Sequence, residues 1–216
     1  MISILTLKNV DVKYGDFHAV KNFSMVTQLG EAVAVTGKNG AGKTSLLRGI
    51  CGLADTTGKL LFHDRDLSDN PRKPLTSEII GYLPQEKRVF SDLTTLENLK
   101  IIPTSQSLAT VKEKVLSWFP ELECHLDQRG GSLSGGEQAM LSLGRTLVTE
   151  PELILLDEPT EGLMPELERR LLNVLKQERS AEACIVIAEQ NPDFIEDLCT
   201  RAYYLKQGKT TKIKEF

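Results

Sequence analysis

The sequence predicts an α/β fold built on a parallel sheet, and three observations carry that expectation. Residues 31–36 (EAVAVT), 153–156 (LILL) and 184–188 (CIVIA) are short apolar runs with no polar side, the pattern of strands buried on both faces. Helical patterns follow the first two runs, at 44–51 and from Pro165 onward. Between Pro84 and Pro151 the pattern changes and is helical, so a helical insert is expected inside the α/β core.

The individual elements follow from local chemistry. Near the N-terminus Val10, Val12 and Tyr14 share one face of an alternating segment while Asp11 and Lys13 take the other, which reads as a half-buried strand. The helix at 44–51 should end at Gly52, a residue suited to the left-handed position past a helix end. Two S/T-x-x-E patterns, Thr94 to Glu97 and Ser134 to Glu137, are capping boxes that start helices in the insert. Pro165 suits a first helical turn, and Leu167, Leu171, Val174 and Leu175 then recur on one face. Pro192 restricts the segment after the run at 184–188, and Gly208 marks a turn between two short strands.

Composition narrows the function classes. The chain has 216 residues, 40% apolar and 26% charged, with 26 Lys and Arg against 30 Asp and Glu and a net charge of −4. These values belong to a globular protein rather than a disordered or collagen-like one. The basic residues are scattered, which argues against a nucleic-acid partner, whose footprint is a concentrated basic face. The longest strongly apolar run is 184–188, far short of the roughly 20 residues of a membrane span, and the N-terminus has no signal-peptide pattern. Cys51, Cys124, Cys184 and Cys199 form no C-x-x-C pair and should pack as small hydrophobes in a reducing cytosol. His18, His63 and His125 read as surface or loop residues outside any catalytic group.

The first motif with chemistry in it is the run Gly37, Lys38, Asn39, Gly40, Ala41, Gly42, Lys43, Thr44, which fits G-x-x-x-x-G-K-[ST] between a strand and a helix. Glycines let the backbone wrap a phosphate, and successive N–H groups at the positive end of a helix form an anion nest. Lys43 is suited to reach β- and γ-phosphates, the Thr44 hydroxyl to meet Mg²⁺, and Ser45 completes the phosphate-binding run. A nucleoside triphosphate is the expected ligand.

Two further segments narrow the class. Leu133, Ser134, Gly135, Gly136 and Glu137 lie well beyond Thr44, and the run 153–156 leads directly into Asp157 and Glu158. In this order and spacing the chain resembles the ATP-binding subunit of ABC transporters over essentially its full length. The resemblance implies an α/β fold: a P-loop NTPase core with a parallel sheet, an N-terminal antiparallel β subdomain and a helical insert. It implies one ABC ATPase domain over 1–216, with the core at 1–85 and 150–216 and the helical subdomain at 86–149. ATP and Mg²⁺ are the implied cofactors. Asp157, at a strand end beside Thr44, is suited to hold Mg²⁺ through water. Glu158 is the candidate general base for the water that attacks the γ-phosphate. Ser134 opens a helix, so Gly135 and Gly136 offer free N–H groups to a second anion site, which in this family meets the γ-phosphate held by the opposite subunit. By the same resemblance Tyr14 stacks on adenine. Gln85, in Tyr-Leu-Pro-Gln, contacts Mg²⁺ and the water. The stretch from Arg88 to Leu99 faces a transmembrane partner.

The chain departs from the common family pattern in two places. Gln190 stands where many relatives carry a switch histidine; its amide can bond a γ-phosphate but cannot gain a proton near neutral pH. The loop after the glutamate reads Glu161-Gly-Leu-Met-Pro165 in place of the usual aspartate-bearing loop. Together with Arg88-Val-Phe, Trp118-Phe-Pro-Glu-Leu and Glu158-Pro-Thr-Glu-Gly-Leu, these features resemble the ATPases of branched-chain amino-acid, urea and short-chain amide importers. That subgroup implies a second ABC ATPase subunit, identical or different, transmembrane permease subunits, and indirectly an extracytoplasmic substrate-binding protein. It also implies a cytoplasmic, peripheral position on the inner face of the plasma membrane. The chain ends soon after Gly208, which leaves little room for a ligand-sensing domain. Non-transport ABC ATPases and exporter ATPases are the alternatives. A P-loop kinase is disfavoured by the segment at 133–137, and an inert binding protein by Glu158.

Overall fold

A computed structural model describes residues 3–63, 65–67, 79–86 and 89–216; Arg88 lies outside the described residues. The alternation near the N-terminus becomes a long antiparallel hairpin, β1 (Ser3–Tyr14) and β2 (Phe17–Gln28). The apolar run at 31–36 becomes β3 (Ala32–Thr36), followed by α1 (Lys43–Ile50). β4 (Asp55–Phe62) returns to pair with β1, and the short β5 (Arg65–Asp66) extends that antiparallel sheet in the order β2-β1-β4-β5.

The second sheet assembles β6 (Ile80–Leu83), β7 (Leu153–Asp157), β8 (Cys184–Ala188), β9 (Arg201–Lys206) and β10 (Lys209–Glu215) around β3. Its order is β10-β9-β3-β8-β7-β6, with five parallel strands and β10 antiparallel at one edge. β3, β7 and β8 are buried at every residue, as their lack of a polar side requires.

Strand alternation divides the core in two. Ala32, Ala34, Ile154, Leu156, Ile185, Ile187 and Ala202 point to one face, into a cluster completed by the helical residues Leu99, Val115, Leu141 and Leu171. Val33, Val35, Leu153, Leu155, Val186 and Tyr203 point to the other, against α1 and the antiparallel sheet through Leu46, Leu47, Val12 and Phe23. Both faces are therefore removed from water, which is the main stabilising term of the fold.

Between β6 and β7 run α2 (Thr95–Lys100), α3 (Leu108–Trp118), two short 3₁₀ turns and α4 (Gly135–Leu147). Both expected capping boxes are present, at Thr94 with Glu97 and at Ser134 with Glu137. α5 (Pro165–Ser180) and α6 (Pro192–Leu198) each carry proline in the first turn. Gly52 has φ 71° just past α1, and Gln207 and Gly208 both take positive φ in the β9–β10 turn.

One expectation about the cysteines fails. Cys184 and Cys199 are buried and Cys51 is partly so, but Cys124 is exposed. It sits in the 3₁₀ turn Pro120–His125, whose three-residue period turns Phe119 and Leu122 inward and leaves Cys124 on the outer side. No helix among the described residues is long and apolar enough to cross a membrane.

Candidate active site

The turn from β3 into α1 carries the glycine-rich run, and its geometry accounts for the glycines. Gly42, the N-cap of α1, has φ 108°, and a Cβ there would lie 2.6 Å from the carbonyl oxygen of Ala19. A Cβ on Gly37 would lie 2.3 Å from the carbonyl oxygen of Leu205. The loop is thus pressed against β2 and β9, and only glycine fits. Lys38, Asn39 and Gly40 are exposed, while Ala41 is buried beneath them. Among the described residues no side chain caps α1, which leaves its first N–H groups for an anion.

Lys43 is buried to 4% exposure, and its Nζ donates to the Gly37 carbonyl at 2.9 Å while lying 2.8 Å from Glu158 Oε1. The Thr44 hydroxyl donates to Asp157 Oδ1 at 3.0 Å. Asp157 is fully buried at the end of β7, and its Oδ2 has no hydrogen-bond partner among the described residues. Burial pushes the Asp157 carboxyl above its ordinary range, with the Thr44 hydroxyl opposing the shift. An orphaned carboxylate oxygen beside a hydroxyl is a set of hard oxygen donors that fits a magnesium ion carrying its own water.

Glu158 follows in the left-handed region at φ 47°, which swings its carboxylate from the strand end toward α1. Four other side chains meet there or beside it. Gln190 Nε2 donates to Glu158 Oε1 and to Asn39 Oδ1, both at 2.9 Å. Gln85, just past β6, donates to Glu161 Oε2 at 2.9 Å and reaches Glu158 Oε2 at 3.5 Å. Residues that follow β3, β6 and β8 thus converge on the one carboxylate at the end of β7.

Tyr14 lies at the end of β1, 40% exposed, opposite Phe17 in the hairpin register. The phenols of Tyr82 and then Tyr14 face Arg48 on α1 and push the guanidinium pKa up, so Tyr14 stands beside the helix that begins at the phosphate run. Leu133, Ser134, Gly135, Gly136 and Glu137 sit elsewhere. Ser134 caps α4, Gly135 has open space around its Cα, and Glu137 Oε1 lies 3.1 Å from His125 Nε2. Among the described residues no hydrogen bond or ion pair joins 133–137 to 37–45 in the same chain.

Three residues of the site were given no individual role by the sequence. Glu189 is a buried carboxylate that accepts from Thr160 and from two backbone N–H groups beside Gln190. Thr160 is its partner on the loop after Glu158, and Glu161 holds Gln85. The available signal was an acidic residue directly after the apolar run 184–188, at the end of a strand buried on both sides.

Comparison with known proteins identifies the family. The family model described as ABC transporter matches residues 20–161. The chain is 35% identical to the high-affinity branched-chain amino acid transport ATP-binding protein BraG of Pseudomonas aeruginosa, over 95% of this chain and 90% of the relative. It is 33% identical to the lipopolysaccharide export system ATP-binding protein LptB of Haemophilus influenzae, over 96% of this chain and 89% of the relative. A dimeric ATP-binding cassette in a post-hydrolysis state with ADP and Pi superposes with a TM-score of 0.86 at 23% identity, covering 98% of each chain, and this likeness speaks to the fold alone. With the phosphate run, the paired carboxylates and the capped segment at 133–137 in the family's order, the chain belongs to the ABC transporter family, as an ATP-binding, ATP-hydrolysing cassette.

Proposed function

We propose that this cassette is the motor subunit of an importer, binding MgATP between two cassettes and driving a membrane permease for branched-chain amino acids, urea or related amides. The observation that carries the catalytic part is the convergence of Lys43, Gln85 and Gln190 on Glu158, with the Thr44–Asp157 pair alongside. In this reading residues 37–45 wrap the phosphates and Lys43 moves from Glu158 to the β- and γ-phosphates. Thr44, Asp157 and Gln85 hold Mg²⁺, which when bound neutralises charge on the phosphate oxygens. Glu158, released by Lys43, polarises the attacking water, and the Gln190 amide bonds the γ-phosphate. Tyr14 stacks on adenine.

The segment 133–137 acts across the dimer, on the nucleotide held by the other cassette. The exposure of Ser134 and Gly135, and the lack of any bond among the described residues from 133–137 to 37–45 of the same chain, support that role. The working unit is one domain over 1–216, with the core at 1–85 and 150–216 and the helical part at 86–149. Its docking face for the permease is the groove lined by Val89, Phe90, Leu93, Ile102, Arg145 and Glu161, which borders Gln85. A permease segment there is linked to the base through Gln85 and Glu161. The cassette then works at the inner face of the plasma membrane, and a substrate-binding protein serves the permease outside.

The importer reading rests on the similarity to BraG and on the loops around Gln190 and Glu161. A second reading, export, is favoured by the similarity to LptB. Purification from native membranes, followed by identification of the membrane subunits recovered with the chain, decides between them. An amino-acid or amide permease supports import. Membrane subunits of an exporter contradict import, and recovery without any membrane subunit contradicts a transport role.

A further inference from the structure

We infer that Glu189 is a positioning residue for hydrolysis, holding Gln190 and the loop after Glu158 in one rigid arrangement. The inference rests on the roles proposed above for Glu158 and Gln190. Glu189 follows β8 directly and is 4% exposed, a setting in which a carboxylate persists only when its lone pairs are used. They are used in two directions. Oε2 accepts from the Thr160 hydroxyl at 2.7 Å and from the Thr160 N–H at 3.4 Å, on the loop that leaves Glu158. Oε1 accepts from the Gln190 N–H at 2.6 Å and the Asn191 N–H at 3.0 Å, on the segment that carries the switch amide. The Glu189 N–H is bound to the Val35 carbonyl at 3.2 Å, so a third strand end is tied in just before the phosphate run.

The consequence is geometric. Gln190 can bridge Asn39 and Glu158 only if its backbone is fixed at the distance its two-methylene stem requires. Glu158 is in a left-handed conformation that the following Pro159 and Thr160 must sustain. One carboxylate fixes both sides, so the separation of the proposed base from the proposed phosphate ligand is set by Glu189. It acts through Thr160, Gln190 and Asn191. A further set of contacts supports it: Asn191 caps α6 by accepting from the N–H groups of Asp193 and Phe194, which stiffens the segment beyond Gln190.

The test is steady-state ATP hydrolysis by full-length Glu189→Ala, Glu189→Gln, Thr160→Val and Gln190→Ala, with the Thr160→Val/Gln190→Ala double variant completing a cycle. A displacement of about 1 Å at a catalytic group costs about 100-fold in rate, which is the fall in kcat expected for Glu189→Ala. Glu189→Gln recovers at least about tenfold of it, because its amide oxygen still accepts the two N–H groups and the Thr160 hydroxyl can reverse. Thr160→Val lowers kcat about tenfold with KM for ATP within about twofold, and costs nothing further in the Gln190→Ala background. Should Glu189→Ala fail to fold, Glu189→Gln and Thr160→Val carry the decision, since both keep the volume of the site. Parental kcat in Thr160→Val, or losses that multiply in full with Gln190→Ala, overturn the inference while leaving the roles of Glu158 and Gln190 intact. Parental kcat in Gln190→Ala itself overturns those roles and the inference with them.

Discussion

Lys43 and Glu158 form a buried ion pair across the phosphate run, with 2.8 Å between Nζ and Oε1 and side chains only 4% and 10% exposed. Lys43, the residue most suited to bind a γ-phosphate, is therefore held by the carboxylate proposed to activate water. In the proposed mechanism, incoming phosphates compete with Glu158 for that ammonium, and their success releases the carboxylate. Binding and activation of the base are then one event.

Removing the ammonium should be costly twice. Lys43→Ala takes the cation away from Glu158, and a buried carboxylate deprived of its ion-pair partner lowers stability by about 3–5 kcal/mol. The same change should weaken ATP binding by about 100-fold, as expected when one member of a buried charged contact is truncated. Equilibrium titration with a fluorescent ATP analogue and thermal unfolding check the two effects. Parental affinity would remove Lys43 from the phosphate site.

Asp157 makes the opposite prediction for stability. Burial raises its carboxyl pKa, so the folded chain binds that proton more tightly than the unfolded chain does. Its penalty is present at neutral pH and is relieved as pH falls through the raised value toward the ordinary carboxylate range. Asp157→Asn removes the penalty and keeps an oxygen for the Thr44 hydroxyl. In the absence of nucleotide the variant should melt about 2–4 °C higher at pH 7, the equivalent of about 1 kcal/mol in a chain of this length. The difference should shrink near pH 4, the ordinary aspartate range. Hydrolysis and Mg²⁺-dependent stabilisation by ATP should both be lost. A variant that melts lower at neutral pH contradicts the desolvation of Asp157 as the dominant effect.

The capped segment separates effects within the chain from effects across a dimer. Ser134→Ala breaks the capping box and costs about 1 kcal/mol of stability. ATP affinity of the isolated cassette should stay within about twofold, while turnover falls by about 100-fold, the usual cost of a lost anion donor at a reaction centre. Equal losses in affinity and turnover would place the segment in the same half-site as Lys43.

Local chemistry made much of this legible before any coordinates. An apolar pentad such as 184–188 has no polar side, is rich in β-branched residues and is short, so it reads as a strand covered on both faces, and it is one. Two capping boxes named their own helix starts to the residue. Gly37 and Gly42 carried the phosphate run because the backbone approaches β2 and β9 too closely for a side chain. Sequence could not supply the contacts between strand ends that lie far apart in the chain. Glu189 reads as an ordinary acid after a strand; only the packing of β3, β7 and β8 puts Thr160 and Val35 beside it. The bond from Gln85 to Glu161, and that from Gln190 to Asn39, are hidden for the same reason. Cys124 fails differently, because an apolar residue in a three-residue turn faces in or out according to register.

Glu158 is proposed to do two things, to activate the water and to restrain Lys43 until nucleotide arrives. Glu158→Gln keeps the shape of the side chain, removes the base and loosens the ammonium. Parallel measurement of ATP turnover, ATP affinity and sedimentation with and without MgATP should find hydrolysis abolished, affinity equal to the parent or tighter, and a dimer stabilised by ATP. Hydrolysis at the parental rate would contradict the role of Glu158 as the base.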